Sequence, residues 1–173
     1  KWAGEAYLVT WREASRIPHS ACRLGNVYGP RQSPHADAGV VAIFSHHLWQ
    51  GTAPKLYGEG TPTRDYVHVS DVVAALLAAS GAGGTYNVAT GVEVDVRTVF
   101  ESLRATAGVD VEPLLAPLRT GELERSCLDP GRAERELGWR AAVILDDGLA
   151  MTYHALVEEF SAPAAPRASA AGS

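Results

Sequence analysis

Arg23-Leu-Gly-Asn-Val-Tyr-Gly-Pro-Arg31 and Gly58-Glu-Gly-Thr-Pro-Thr-Arg-Asp-Tyr-Val-His-Val-Ser-Asp71 are the two stretches on which the reading of this chain turns. The apolar run at 19–24 predicts a short buried strand, and the Gly/Pro-rich residues after it predict a loop over 25–34. In the second stretch a Gly/Thr/Pro turn separates two strand-like segments, 55–57 and 65–69. Ser70 stands where it can cap a helix over 72–79, and Gly81-Ala-Gly-Gly84 stops that helix.

The remaining segments extend the same alternation. Residues 2–15 have helical composition and end at Ile17-Pro18; residues 40–50 carry Ala42, Ile43, Phe44 and Leu48 before Gly51. A strand is expected at 85–88. Asp95 opens a helix over 96–107 whose Val99, Leu103 and Ala107 share one face. Residues 111–115 predict another strand. Asp129-Pro130 reads as an N-cap followed by proline in the first turn of a helix that Gly138 ends. Asp146 or Asp147 caps a last helix reaching to about residue 160, and the Ala/Pro/Ser-rich residues 161–173 predict a disordered tail. Alternating strands and helices place the chain in the α/β class. No Gly-x-Gly-x-x-Gly follows a strand, since Gly81, Gly83 and Gly84 come after a helix.

Composition removes several function classes. With 173 residues, 46% of them hydrophobic, the chain can bury a core. Its net charge of -5 argues against non-specific nucleic-acid binding, which needs a basic face. No apolar run approaches the roughly 20 residues that span a bilayer, so no membrane partner is expected. Cys22 and Cys127 have no metal-ligand spacing and read as free thiols in a reducing, cytoplasmic setting. His46 and His47, adjacent on a helix, point in different directions and read as a solvated surface, so no metal site is expected. His68, beside Asp65 and Asp71, suggests a structural hydrogen bond. Trp49, Trp139 and Tyr153 suggest core or interface residues.

Taken with Lys1-Trp-Ala-Gly-Glu-Ala-Tyr7 and the late Leu128-Asp-Pro…Leu137-Gly-Trp139 pattern, the two opening stretches resemble the C-terminal half of an extended short-chain dehydrogenase/reductase. The group is that of the NAD-dependent nucleotide-sugar epimerases and dehydratases. Arg119-Thr-Gly-Glu122 and the segment beginning Leu128-Asp-Pro look most like the UDP-glucose 4-epimerases. The resemblance covers residues 1–160. It implies the C-terminal part of a Rossmann-type doubly wound fold plus a small α/β substrate-binding domain. Residues 1–38 would be the remnant of the dinucleotide-binding domain. Residues 39–160 would be mainly substrate-binding, with some elements returning to the Rossmann part, and 161–173 the tail.

The same resemblance assigns site residues. Lys1 is similar to the lysine of the family's Tyr-x-x-x-Lys pair, in which the ammonium lowers the pKa of a tyrosine from its usual value of about 10. With Leu24 it falls on the NAD side. Arg64 and Arg119 match the arginines that contact the diphosphate, and Asn26 the asparagine that contacts the diphosphate or sugar. Glu122 stands at the acidic position that accepts the nucleotide ribose hydroxyls, one methylene longer than the aspartate found in many epimerases. Lys55-Leu-Tyr57 matches the stretch whose backbone reads the uracil edge, with Tyr57 against the base. Taken singly, these residues have blander readings: an exposed terminal lysine, a surface Arg64–Asp65 ion pair, a solvated Arg119 and a turn-stabilising Asn26.

For the intact enzyme the resemblance implies C4 epimerisation of a UDP-hexose through a 4-keto intermediate, with NAD taking and returning the hydride, in a homodimer. A dehydratase, decarboxylase or reductase shares most of the motifs. With no Gly-rich loop or catalytic tyrosine in its sequence, this chain alone is expected neither to bind NAD nor to turn over substrate. A non-catalytic UDP-binding module or an inactive fragment are the other readings.

Overall fold

The computed structural model describes residues 2–35 and 38–162. Lys1 and most of the expected tail lie outside the described residues. The first helix, α1 (Trp2–Ser15), buries none of its residues, and Trp2, Tyr7 and Trp11 are exposed. Strands β1 (Ser20–Leu24) and β2 (Asn26–Tyr28) follow, then α2 (Val40–Trp49) and β3 (Lys55–Tyr57). A 3-10 turn at Gly58–Gly60 leads to β4 (Thr63–Arg64), β5 (Tyr66–His68) and α3 (Val69–Ala79). The chain continues through β6 (Gly84–Val88), β7 (Val94–Asp95), α4 (Val96–Ala107), β8 (Leu114–Ala116) and β9 (Arg125–Ser126) to α5 (Gly131–Leu137) and α6 (Leu145–Ser161).

Four small sheets result among the described residues. β1 pairs with β6, β2 with β5 and β3 with β8, all parallel; β4 lies between antiparallel β7 and parallel β9. Two hydrophobic clusters lie on either side of β5, because successive residues of a strand face opposite ways. Tyr66 enters the cluster formed by Tyr28 of β2 with Phe44, Leu48, Phe100, Leu103 and Leu149 of α2, α4 and α6. Val67 enters the one formed by Val72, Ala75, Tyr86, Val88, Ala133 and Trp139. The close fit of α6 depends on Gly148, where a Cβ would collide with the Tyr28 hydroxyl and come within 2.9 Å of Val143 Cγ1.

The α/β class holds, and several local expectations are corrected. β1 is half-open rather than buried: Arg23 and Leu24 are exposed, because among the described residues only β6 covers an edge of it. Helix α3 starts at Val69, and its cap is His68, whose Nδ1 accepts from the Ser70 amide at 3.3 Å; Ser70 lies inside the first turn. His68 thus has a structural bond, though through Ser70 instead of a carboxylate. Asp129 accepts from the Gly131 amide at 2.8 Å, but Pro130 holds the cap position. Asp146 and Asp147 lie in the first turn of α6, where their charge suits the helix dipole, while Ile144 is the uncapped N-terminal residue. The strand expected at 111–115 forms at Leu114–Ala116, where β3 offers an edge. Asp95 opens α4 as its sequence predicts, through a 2.7 Å bond to the Thr98 amide, and Gly108 ends it with a left-handed φ of 65°.

Asp65 has a larger role than its sequence suggested. It is 2% exposed. Its carboxylate accepts from Thr90 N at 2.8 Å, Thr90 Oγ1 at 2.7 Å, Gly91 N at 2.9 Å and Leu128 N at 3.4 Å. Its carbonyl accepts from Asn26 N at 2.6 Å. Two distant segments therefore depend on its side chain and a third on its backbone carbonyl. We expect Asp65→Ala, which strands those part-buried amides, to cost about 3 kcal/mol in urea-denaturation stability; a change below about 1 kcal/mol would contradict this account.

Candidate functional site

The site begins with a free strand edge. The Pro54 carbonyl accepts from Leu114 N at 2.8 Å, so β3 turns the backbone groups of Pro54 and Leu56 toward β8. Alternation then turns the N–H and C=O groups of Lys55 and Tyr57 to the opposite edge, where no strand pairs among the described residues. That edge borders a cleft of about 360 Å3, within the range for small-molecule sites. Facing it from α2 are Val40, Ile43, Phe44 and His47, one helical stripe at i, i+3, i+4 and i+7.

Arg119 and Glu122 reach the same cleft through a tight turn. The Glu122 amide donates to the Arg119 carbonyl at 3.1 Å, and Gly121 takes φ 80°, the third-position geometry of a type II turn. The turn sets the two side chains beside each other. The Arg119 guanidinium lies 4.0 Å from the centre of the Tyr57 ring, a cation–π stack. Acting first as a hydrogen-bond donor to the phenolate, Arg119 holds the Tyr57 hydroxyl below its usual range, and Tyr57 in turn raises Arg119. Glu122 accepts from Arg64 Nη2 at 3.4 Å, while Arg64 Nη1 donates to the Thr63 carbonyl at 2.8 Å. Arg64 is thus bound to Glu122 and not to its neighbour Asp65. Lys55, Arg64 and Arg119 outnumber Glu122, a positive spot on a chain of net charge -5.

The structure therefore gathers Lys55, Tyr57, Arg119 and Glu122 in one cleft and ties Arg64 to it through Glu122. Asn26 is exposed outside the cleft lining, but its amide bond to Asp65 places its backbone one residue beyond Arg64. Leu24 is not brought to the cleft; it lines a separate groove with Glu5, Cys22, Arg23 and Val27 beside β1. A second apolar cleft, between Tyr66, Thr90, Trp139 and Val143, contains Arg140, already paired with Glu134 at 2.9 Å. Cys22 and Cys127 are free, and no cluster of His, Cys, Asp or Glu among the described residues could hold a metal.

Sequence reasoning missed His47, which lines the cleft instead of a solvated surface; the 40/43/44/47 spacing was the available signal. His46 is not simply solvated either. It packs edge-on to Phe160 at 5.1 Å and beside Trp49 at 5.8 Å, and this burial, with His35 and His47 nearby, lowers its pKa.

The family model described as GDP-mannose 4,6 dehydratase matches residues 1–152. The chain belongs to this family of nucleotide-sugar epimerases and dehydratases. A UDP-glucose 4-epimerase of Mycolicibacterium smegmatis is 47% identical over 155 residues, covering 88% of this chain and 50% of the relative. The solved UDP-glucose 4-epimerase of Thermotoga maritima, in complex with UDP-glucose, superposes with a TM-score of 0.89 at 37% identity, over 92% of this chain and 52% of that one. The Thermus thermophilus UDP-glucose 4-epimerase, solved with NAD, gives 0.80 at 39% identity, over 89% and 51%. The chain spans about half the length of the curated relatives it matches. Among the described residues no helix is long and apolar enough to cross a membrane.

The tyrosines offer a direct test. Burial raises Tyr28 above its ordinary range and pushes Tyr66 up to about 12, with Asp95 adding to the shift and Arg64 opposing it. In an absorbance titration Tyr57 should ionise before Tyr28 and Tyr66, and Arg119→Leu should move Tyr57 upward without moving the other two. The Tyr66 phenol keeps its proton longer in the folded chain than in the unfolded one. Its contribution to stability is therefore whole below pH of about 10 and declines as pH rises through about 12; alkaline urea melts would read it.

Proposed function

We propose that this chain carries the nucleotide-sugar-binding part of a UDP-glucose 4-epimerase-like enzyme, which inverts C4 of a UDP-hexose through a 4-keto intermediate. One observation supports this above the others: the open β3 edge, the Arg119–Tyr57 stack and Glu122, which holds Arg64, border a single cleft. A nucleoside diphosphate needs a flat surface for its base, backbone groups for the base edge and guanidinium forks for about two negative charges. The Tyr57 ring, the Lys55 and Tyr57 backbone, and Arg64 with Arg119 answer those needs. Glu122 would take the ribose hydroxyls, and Asn26, beside Arg64 along the backbone, the diphosphate or sugar. Holding the molecule by its UDP end lets distant binding energy keep the hexose in place while its reacting carbon reorients.

On this reading, residues 1–38 belong to a dinucleotide-binding domain and most of 39–160 to a substrate-binding one, and the complete enzyme is a cytoplasmic homodimer that uses NAD. The described residues do not by themselves fit NAD. Gly81, Gly83 and Gly84 follow α3 instead of joining a strand to a helix N-terminus, and the β1–β6 pair leaves Leu24 open. On this reading Lys1 and Leu24 serve the NAD side of the complete enzyme, and the chain alone is inactive. A 4,6-dehydratase is the second reading, drawn from the description of the family model.

Calorimetric titration of the chain with UDP tests the proposal. Binding should be measurable, and Arg119→Ala should weaken it about tenfold or more, the worth of one charge-assisted hydrogen bond. NADH fluorescence should show no tight association. Absence of UDP binding at millimolar concentration would sink the reading.

A further inference from the structure

Strand β4 is two residues long, so few ladder bonds fix it and the side chains around it matter. Thr63 lies opposite Asp95 of β7 on one side and Arg125 of β9 on the other. Its amide donates to the Glu124 carbonyl at 2.8 Å, and its hydroxyl donates to Glu93 Oε2 at 3.1 Å. The same carboxylate accepts a fork from Arg125, Nε to Oε2 at 3.0 Å and Nη2 to Oε1 at 2.9 Å. Glu93, just before β7, thus ties together all three strands of this sheet. Two parallel charge-assisted bonds fix the direction of a carboxylate as well as its place. Arg125 holds the Glu93 carboxyl below its usual range, against the opposing effect of burial and with Thr63 assisting.

Arg64 takes its direction from the same strand. Its Nη1 donates to the Thr63 carbonyl at 2.8 Å and its Nη2 to Glu122 at 3.4 Å. We infer that Glu93 is a positioning residue for Arg64: it holds Thr63 through the hydroxyl, and the Thr63 carbonyl presents the guanidinium to the diphosphate. The inference rests on the nucleotide reading above and gives a role to a residue outside the cleft lining. On that reading Glu122 turns to the ribose hydroxyls, which releases Nη2 for phosphate. The bond to the Thr63 carbonyl is then the fixed end of the guanidinium, and the place of Thr63 sets where the free prongs lie. Alternation along β4 puts the Thr63 and Arg64 side chains on opposite faces of the sheet. Glu93, on the Thr63 face and neutralised by Arg125, therefore does not compete with an anion for the Arg64 fork. An arginine whose direction is set beforehand loses less freedom when the ligand arrives.

Calorimetric titration with UDP, and with uridine in competition against UDP, tests the inference. Glu93→Ala and the near-isosteric Thr63→Val should each weaken UDP roughly three- to tenfold, the scale of one hydrogen bond. Uridine should be nearly unaffected, because only the diphosphate meets Arg64. Thr63→Ser keeps the hydroxyl and should bind UDP as the unmodified chain does. In an Arg64→Ala background, Glu93→Ala should bring no further loss of UDP affinity. Circular dichroism checks that each variant folds; Thr63→Val, whose branched side chain suits a strand, carries the test if Glu93→Ala does not. Equal losses for UDP and uridine, or a full further loss in the Arg64→Ala background, reduce Glu93 to a structural tie and overturn its positioning role. Undiminished UDP affinity in both Glu93→Ala and Thr63→Val overturns it as well, with the nucleotide site left standing. Failure of the unmodified chain to bind UDP overturns the nucleotide reading and this inference with it.

Discussion

The Asp65 carboxylate is the constraint on which the rest of the structure depends. It is buried without a cation among the described residues, and five donors surround it: Thr90 Oγ1, Cys127 Sγ and the backbone amides of residues 90, 91 and 128. A buried charge is tolerated when several fixed dipoles solvate it as water would. The consequence is that the loop after β6 and the segment before α5 cannot move independently of β5. Gly25 belongs to the same junction, since a Cβ there would come within 2.8 Å of the Asp65 carbonyl.

Position within the strand then distributes the neighbours of Asp65. Arg64 turns toward Glu122 and the cleft, Tyr66 enters one hydrophobic cluster and Val67 the other. The residue proposed to hold phosphate is thereby anchored to the residue that joins the two cores. A guanidinium on so short a lever has little rotational freedom to lose on binding, which favours a tight and selective contact. Arg119 is held differently. It is exposed on a turn, and its order comes from the Tyr57 ring beneath it.

Much of the architecture was legible because local chemistry specified it. Asp95 marks the start of α4 with a cap, Gly138 ends α5, and apolar runs mark α2 and α3. Where local cues competed, the outcome was less readable. Ser70 and His68 can both cap α3, and the backbone chose the earlier residue, drawing Ser70 into the helix. Burial of β1 could not be judged from its apolar letters, because it depends on how many partners cover the strand. His47 was misjudged for a similar reason: adjacent histidines look equivalent in sequence, yet a 100° rotation per residue sends His46 to Phe160 and His47 to the cleft.

By itself the sequence determined the α/β class, most helix limits and the set of polar residues proposed to bind a nucleotide sugar. The class and helix limits follow from periodicity and capping residues, short-range properties of a chain, and the set of polar residues from the family resemblance that its motifs carry. Only the tertiary structure decided which of those residues share a cleft, that Arg64 pairs with Glu122 58 residues away, and that Asp65 is a buried junction. Such pairings depend on strand register and on which edges remain open. Those are settled when distant segments compete for the same partners, and no local stretch of sequence contains that competition.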